Sequence, residues 1–148
     1  MAKTIPRKLA GPIRSWLKSL GVNRNARDAY LRLVLAQLAA KPVAGQKVVL
    51  YARSAASPDE REQVLKAQLA ACREWAEAHS CLVVGEYQDV VNGLTKRTPE
   101  LKRALTRARA EKAALVCISM DRLARSLTLL LKRQEECRRR GIALFFVR

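Results

Sequence analysis

Val48-Val49-Leu50-Tyr51-Ala52-Arg53, followed by Ser57-Pro58-Asp59-Glu60, decides the fold. The first four residues make a short continuous apolar run, as a strand buried on both faces requires. Ser57, Pro58 and Glu60 read as a helix start, with Ser57 at the N-cap, Pro58 at the first helical position and Glu60 closing a capping box. Val64, Leu65, Gln68, Leu69, Cys72, Trp75 and Ala76 then recur at three-and-four spacing and carry the helix to about His79. The alternation repeats downstream. Leu82, Val83, Val84 and Tyr87 give a second strand, a polar loop runs from Asp89 to Arg97, and Thr98-Pro99 opens a helix to about Ala110. Leu115 to Ile118 is a third strand, Met120 to Arg125 a loop, and Ser126 to Arg140 a helix that Gly141 ends. Ile142 to Val147 is the last strand. The order β-α-β-α-β-α-β predicts an α/β fold, a mainly parallel four-stranded sheet flanked by helices.

Upstream the pattern differs. Ile13, Trp16, Leu17 and Leu20 recur at helical spacing between Gly11-Pro12 and Gly21, and a second helix over about 24–40 carries Ala26, Tyr30, Leu33, Val34 and Leu38 on one face. Pro42 and Gly45 mark a linker. The expected division is a basic helical hairpin or arm over 1–46 and an α/β domain over 47–148. The hairpin fits either a groove-reading helix-turn-helix, with Arg14, Lys18, Arg24 and Arg27 as DNA contacts, or an amphipathic pair packed on the body or on another copy.

The chain has 148 residues, 29 Lys and Arg against 13 Asp and Glu, and a net charge of +16. Nine of the bases and one acid fall in residues 1–46. Such an excess points to a polyanionic partner, nucleic acid foremost, over a merely soluble basic protein. Cys72, Cys81, Cys117 and Cys137 form no CxxC and there is one histidine, His79, so a zinc site is not expected and reduced core thiols are. His79 ends a helix, where a capping role is expected. No membrane span and no secretory signal are read, so the expected location is cytoplasmic.

Ligands of an open parallel sheet gather beyond the carboxyl ends of its strands. There strand one delivers Arg53, strand two Asp89, and strand three Asp121, Arg122 and Arg125. Arginines suit phosphate, and without GxxxxGK[ST] or GxGxxG they suggest a phosphodiester rather than a nucleotide. Surface ion pairing is the competing explanation.

Tyr51-Ala52-Arg53 resembles the Y-x-R-x-S opening of serine recombinases, the resolvase/invertase family, and Gln68 matches the glutamine that follows there. Asp89 to Gly93 with Arg97, then Pro99-Glu100-Leu101, resembles the D-x-G-x-S-G…R stretch. Asp121-Arg122-Leu123-Ala124-Arg125-Ser126 resembles the D-R-L-x-R-S signature. The resemblance spans about 47–147. It implies a serine that attacks a DNA phosphate to leave a 5′-phosphoserine, with no metal, cofactor or external energy source. It implies that Arg53, Arg97, Arg122 and Arg125 hold the scissile phosphate, that Asp121 orients them, and that Gln68 belongs to the DNA-binding set. Its partners would be DNA and a second copy, as a dimer, or another recombinase. Family members continue into a long helix that dimerises and crosses the DNA, which this reading does not find.

Two departures matter. Ala55 stands at the nucleophile position, and alanine has no attacking oxygen. The loop Asp89-Val90-Val91-Asn92-Gly93 is one residue short and has Asn92 where the family has serine. Ser54 points away from the face shared by Arg53 and Ala55, and the hydroxyl of Ser57 is expected to cap a helix. Three readings stay open. One is a DNA-binding, cleavage-defective pseudoenzyme with a regulatory or accessory role in mobile-element recombination. Another is an active recombinase trapped by a Ser→Ala change. The third is a protein-interaction module using Trp16, Leu17, Leu20, Tyr30 and Val34 of the hairpin.

Overall fold

A computed structural model describes residues 14–15, 17–19, 21–39, 41–91, 97–124 and 126–148, with the backbone alone for 33–39, 127 and 128. The sequence readings at Gly11, Pro12, Ile13, Trp16, Leu20, Asn92, Gly93 and Arg125, and at the side chains of Leu33, Val34 and Leu38, lie outside the described residues.

The order is α1 (Arg24–Ala39), β1 (Lys47–Ser54), α2 (Pro58–Ala78), β2 (Leu82–Val90), α3 (Pro99–Glu111), β3 (Ala114–Cys117), α4 (Met120–Leu123), α5 (Leu127–Arg140) and β4 (Leu144–Phe146). The strands pair in parallel in the order β2-β1-β3-β4. This is the expected α/β architecture. The apolar run of the sequence is the central strand: Val48 to Ala52 are wholly buried because helices cover both faces. Val49 and Tyr51 pack with Leu101, Leu105, Leu115, Leu123 and Leu130, residues of α3, β3, α4 and α5. Val48, Leu50 and Ala52 pack with Leu65, Leu69 and Cys72 of α2 on the other face. Strand alternation then sends Arg53 to the α4 side and Ser54 to the α2 side.

The chain leaves β1 toward β2, returns past it to β3, and so reverses direction between β1 and β3. Ligand crevices of open sheets form at such a reversal, beyond the carboxyl ends of the two strands.

Several local expectations change. Met120–Leu123 is a short helix, not a loop. Ser57 caps α2 through its main chain, its carbonyl accepting from the Glu60 and Arg61 N–H groups, and its hydroxyl makes no capping bond. The last strand is shorter than read, and Ile142 is spent closing α5, its N–H donating to the Cys137 carbonyl at 2.8 Å. Gly141 ends α5 at φ 71°, the left-handed conformation that favours glycine. His79 caps α2: its Nδ1 lies 2.8 Å from the Trp75 carbonyl oxygen.

Residues 14–15 and 17–19 are helical, and the Gly21 and Val22 N–H groups close that turn on the Lys18 and Leu17 carbonyls. The Asn23 side chain then starts α1 by accepting from the Ala26 N–H at 2.8 Å. α1 lies against α5 and β4, Leu17 and Leu31 are buried, and Tyr30 packs on the core.

Candidate functional site

At the carboxyl end of β1, Arg53 is 8% exposed and its guanidinium turns toward α4. Its Nε donates to the Arg122 carbonyl at 3.2 Å, and its terminal amine donates to the Asp121 carbonyl. Arg122 answers with a longer bond, 3.4 Å, from its own guanidinium to the Arg53 carbonyl. A buried charge must be matched, and here main-chain carbonyls at the open end of a single helical turn do it. The sequence shows why the turn can sit there. β3 ends at Cys117, and Ser119 precedes the turn with its hydroxyl on the Asp121 carboxylate.

Gln68, expected at the DNA, lies buried between α2 and β1. Its amide oxygen accepts from the Arg53 N–H at 3.1 Å and its amide nitrogen donates to the Arg53 carbonyl at 2.8 Å. Both ends of the side chain are thus committed to the backbone that carries Arg53, which makes Gln68 part of the scaffold under the site. Asp89 is buried too. Its carboxylate accepts from the Tyr51 hydroxyl at 2.8 Å and from the Glu100 and Leu101 N–H groups at 3.0 and 2.9 Å. It caps α3 from the neighbouring strand, where Thr98 supplies no side-chain cap. Burial first, and then this carboxylate, push the Tyr51 phenol far above its ordinary range.

The other named residues lie further out. Arg122 is half-buried, and its Nε sits 3.7 Å from the exposed carboxylate of Asp121. Asp121 therefore meets Arg122 through its carboxylate and Arg53 through its carbonyl. Arg97 is exposed at the approach to α3, and Arg125 lies outside the described residues. Ala55 is exposed just past β1. Ser54 is buried, its hydroxyl oxygen accepting from the Ala56 N–H at 3.1 Å, while Ser57 is exposed. Arg14, Lys18 and Arg24 are exposed, and Arg27 is half-buried on α1.

A cleft of about 310 Å³ opens beside Arg53, lined by Val91, Thr98, Leu123, Ala124, Ser126, Leu129 and Arg133 as well. Among the described residues it holds two cations, two hydroxyls and no carboxylate. Ser126 accepts from the Leu129 N–H at 3.2 Å, which leaves its own O–H able to donate into the cleft. Such a lining suits an oxyanion with several acceptor oxygens. Arg133 was not singled out in the sequence. The available signal is its place seven residues after Ser126, two helical turns along one face. Among the described residues no group of His, Cys, Asp and Glu is arranged to hold a metal, and no helix is long and apolar enough to cross a membrane.

The model of the family described as Resolvase, N terminal domain, matches residues 48–148. The C-terminal catalytic domain of IS1535 TnpA, an IS607-like serine recombinase, is 31% identical, over 68% of this chain and 70% of that one, with a TM-score of 0.52. Two further structures share the fold. The C-terminal catalytic domain of ISC1926 TnpA, also an IS607-like serine recombinase, is 23% identical over 69% and 70% of the two chains, with a TM-score of 0.58. A resolvase family site-specific recombinase from Streptococcus pneumoniae is 22% identical over 69% and 72%, also at 0.58. No curated protein matches the chain. This open parallel sheet, with Arg53 and Arg122 meeting at its reversal point, has the α/β fold of a serine recombinase catalytic domain. The chain belongs to the serine recombinase family, through its resolvase N-terminal domain.

Proposed function

We propose that this chain binds DNA as a serine recombinase relative that does not itself cut the strand, and that it serves as a regulatory or accessory factor in recombination. Residues 47–148 act as the catalytic-type domain and residues 1–46 as a basic arm, in a dimer or alongside an active recombinase. The observation that carries this reading is Ala55, exposed where the strand that holds Arg53 ends. A phosphoryl transfer needs an attacking oxygen as well as electrostatic stabilisation. The arginine set supplies the second, while the first has no hydroxyl at that position. Ser54 is turned into the α2 side and its oxygen closes a turn, so it does not substitute. In this reading Arg122, with Arg97 and Arg125, takes the phosphate, while Arg53 and Gln68 fix the geometry beneath it.

The interaction-module alternative needs the hairpin's apolar face open, but Leu17 is buried and Tyr30 packs on the core.

The experiment is duplex binding followed by denaturing electrophoresis, for the wild type and for Ala55→Ser. The wild type is expected to bind duplex and to leave no covalent adduct. Ala55→Ser is expected to bind equally well, and an adduct from it would show that the remaining machinery is competent. A covalent adduct from the wild type overturns the cleavage-defective reading, and failure of the wild type to bind duplex overturns the DNA-binding one.

A further inference from the structure

We infer that the groove between α1 and α5 is a second track for a nucleic-acid backbone, continuous with the strand-end cleft. This inference rests on the DNA-binding reading above. The groove measures about 950 Å³ and is lined by Asn23 and Ala26 at the start of α1 and by one side of α5, where Lys132, Arg133, Arg139 and Arg140 stand with Glu135 and Glu136. Arg133 lines the strand-end cleft as well, so the two depressions share a wall. The topology gives the track its direction. α5 leaves the carboxyl edge of β3 and must return to the amino edge of β4, because the two strands are parallel. A chain of phosphates entering at Ser126 can therefore follow α5 down the side of the domain.

The charges favour a polyanion. Glu136 is shared by Arg133 and Arg140, each at 3.2 Å, and Glu135 is shared by Arg138 and Arg139. Within the described lining two carboxylates thus face three guanidinium groups and Lys132. Across the groove, the amino end of α1 adds its positive dipole. Among the described residues the apolar part of the lining comes from Ala26, Leu131 and the stems of the charged side chains, whose heads stay free to meet a solvated backbone.

The test measures binding of a short labelled duplex by the full chain across a series of salt concentrations. Lys132→Gln/Arg139→Gln removes two exposed groove charges, and Ala26→Glu adds an opposing one without deleting a contact. Lys66→Gln/Lys112→Gln removes two exposed charges elsewhere, and circular dichroism checks that every variant is folded. The groove pair is expected to lower the slope of log K against log salt by about 2 and to weaken binding at least about tenfold near 0.1 M salt. Ala26→Glu is expected to weaken binding as well, and the control pair to leave the slope unchanged. Unchanged slopes in the groove pair, or an equal loss in the control pair, overturn the groove while leaving the strand-end reading intact. If the wild type binds no duplex at all, it is the reading beneath that fails.

Discussion

Arg53 and Arg122 each donate from the guanidinium to the other's main-chain carbonyl oxygen, at 3.2 and 3.4 Å. The exchange joins the end of β1 to the turn after β3, the two points between which the sheet reverses. A guanidinium has a fixed planar fork, so once Arg53 is held by two carbonyls it fixes the orientation of the α4 turn as well as its position.

Arg53→Gln should therefore destabilise the fold by about 2–3 kcal/mol, since bonds from a charged donor are lost and two carbonyls are left without their partner. Arg53→Lys should recover less than half, because a single ammonium cannot reproduce the fork. Urea denaturation of the two variants beside the wild type measures both. A wild-type midpoint for Arg53→Lys would show that charge alone suffices.

Asp89 joins Tyr51 to the first turn of α3, so its loss should be felt in three places at once. Asp89→Ala is expected to cost about 3 kcal/mol or more, since a buried hydroxyl and two helix N–H groups lose their acceptor. Tyr51→Phe removes one of those donors and should cost about 1–3 kcal/mol. Equal costs for the two would place the whole effect in the Tyr51 bond and none in the cap.

High pH should unfold the protein through its core acids. Burial pushes the Cys72 thiol from 9.0 up to about 11 and the Cys137 thiol up to about 12, and it raises Cys117 well above 9.0. In the unfolded chain these thiols ionise from pH 9, so the unfolded state holds fewer protons than the native one. Stability is then full below pH 9 and falls as pH rises toward the native values, by about 1.4 kcal/mol per pH unit for each thiol in its window. Replacing Cys137 with Ala should flatten that fall, which thermal melts between pH 8 and 11 would record. Near pH 8 an alkylating reagent should reach the partly exposed Cys81 first and the other three thiols only on unfolding.

Two helix ends make opposite predictions. Gly141 holds φ 71° with open space around a potential Cβ, so Gly141→Ala should cost about 1 kcal/mol from backbone strain alone. Lys112 holds φ 54° at the end of α3 without being glycine, and Lys112→Gly should be neutral or stabilise by up to about 1 kcal/mol. Melting temperatures that move the same way in both variants would contradict this account of the two caps.

Period and parity alone made much of this legible. The apolar run at Val48–Tyr51 identified a buried strand, and strand parity put Arg53 on the face shared with Ala55. The same counting sent Ser54 to the opposite side. What stayed hidden was the use of main-chain groups. Nothing in Gln68 announces that its amide will clasp the backbone of Arg53, because every residue offers the same N–H and carbonyl. Asp89 capping α3 was hidden for a similar reason: Thr98 occupies the local capping position, and only the sheet brings Asp89 to the helix start. Arg133 escaped because it follows the recognisable Asp121–Ser126 stretch by two turns. Distance along a helix face, rather than adjacency in sequence, puts it in the cleft.

Arg122 is expected to meet a DNA backbone at the strand ends while Arg53 stays locked beneath it. Arginine Nε–H resonances of the ¹⁵N-labelled protein, followed during titration with a DNA duplex, test this directly. The Arg122 signal should shift with added duplex, and the Arg53 signal should hold its position and stay protected from solvent exchange. An Arg122 signal that does not move while other arginines respond, or an Arg53 signal that exchanges freely, would contradict the account.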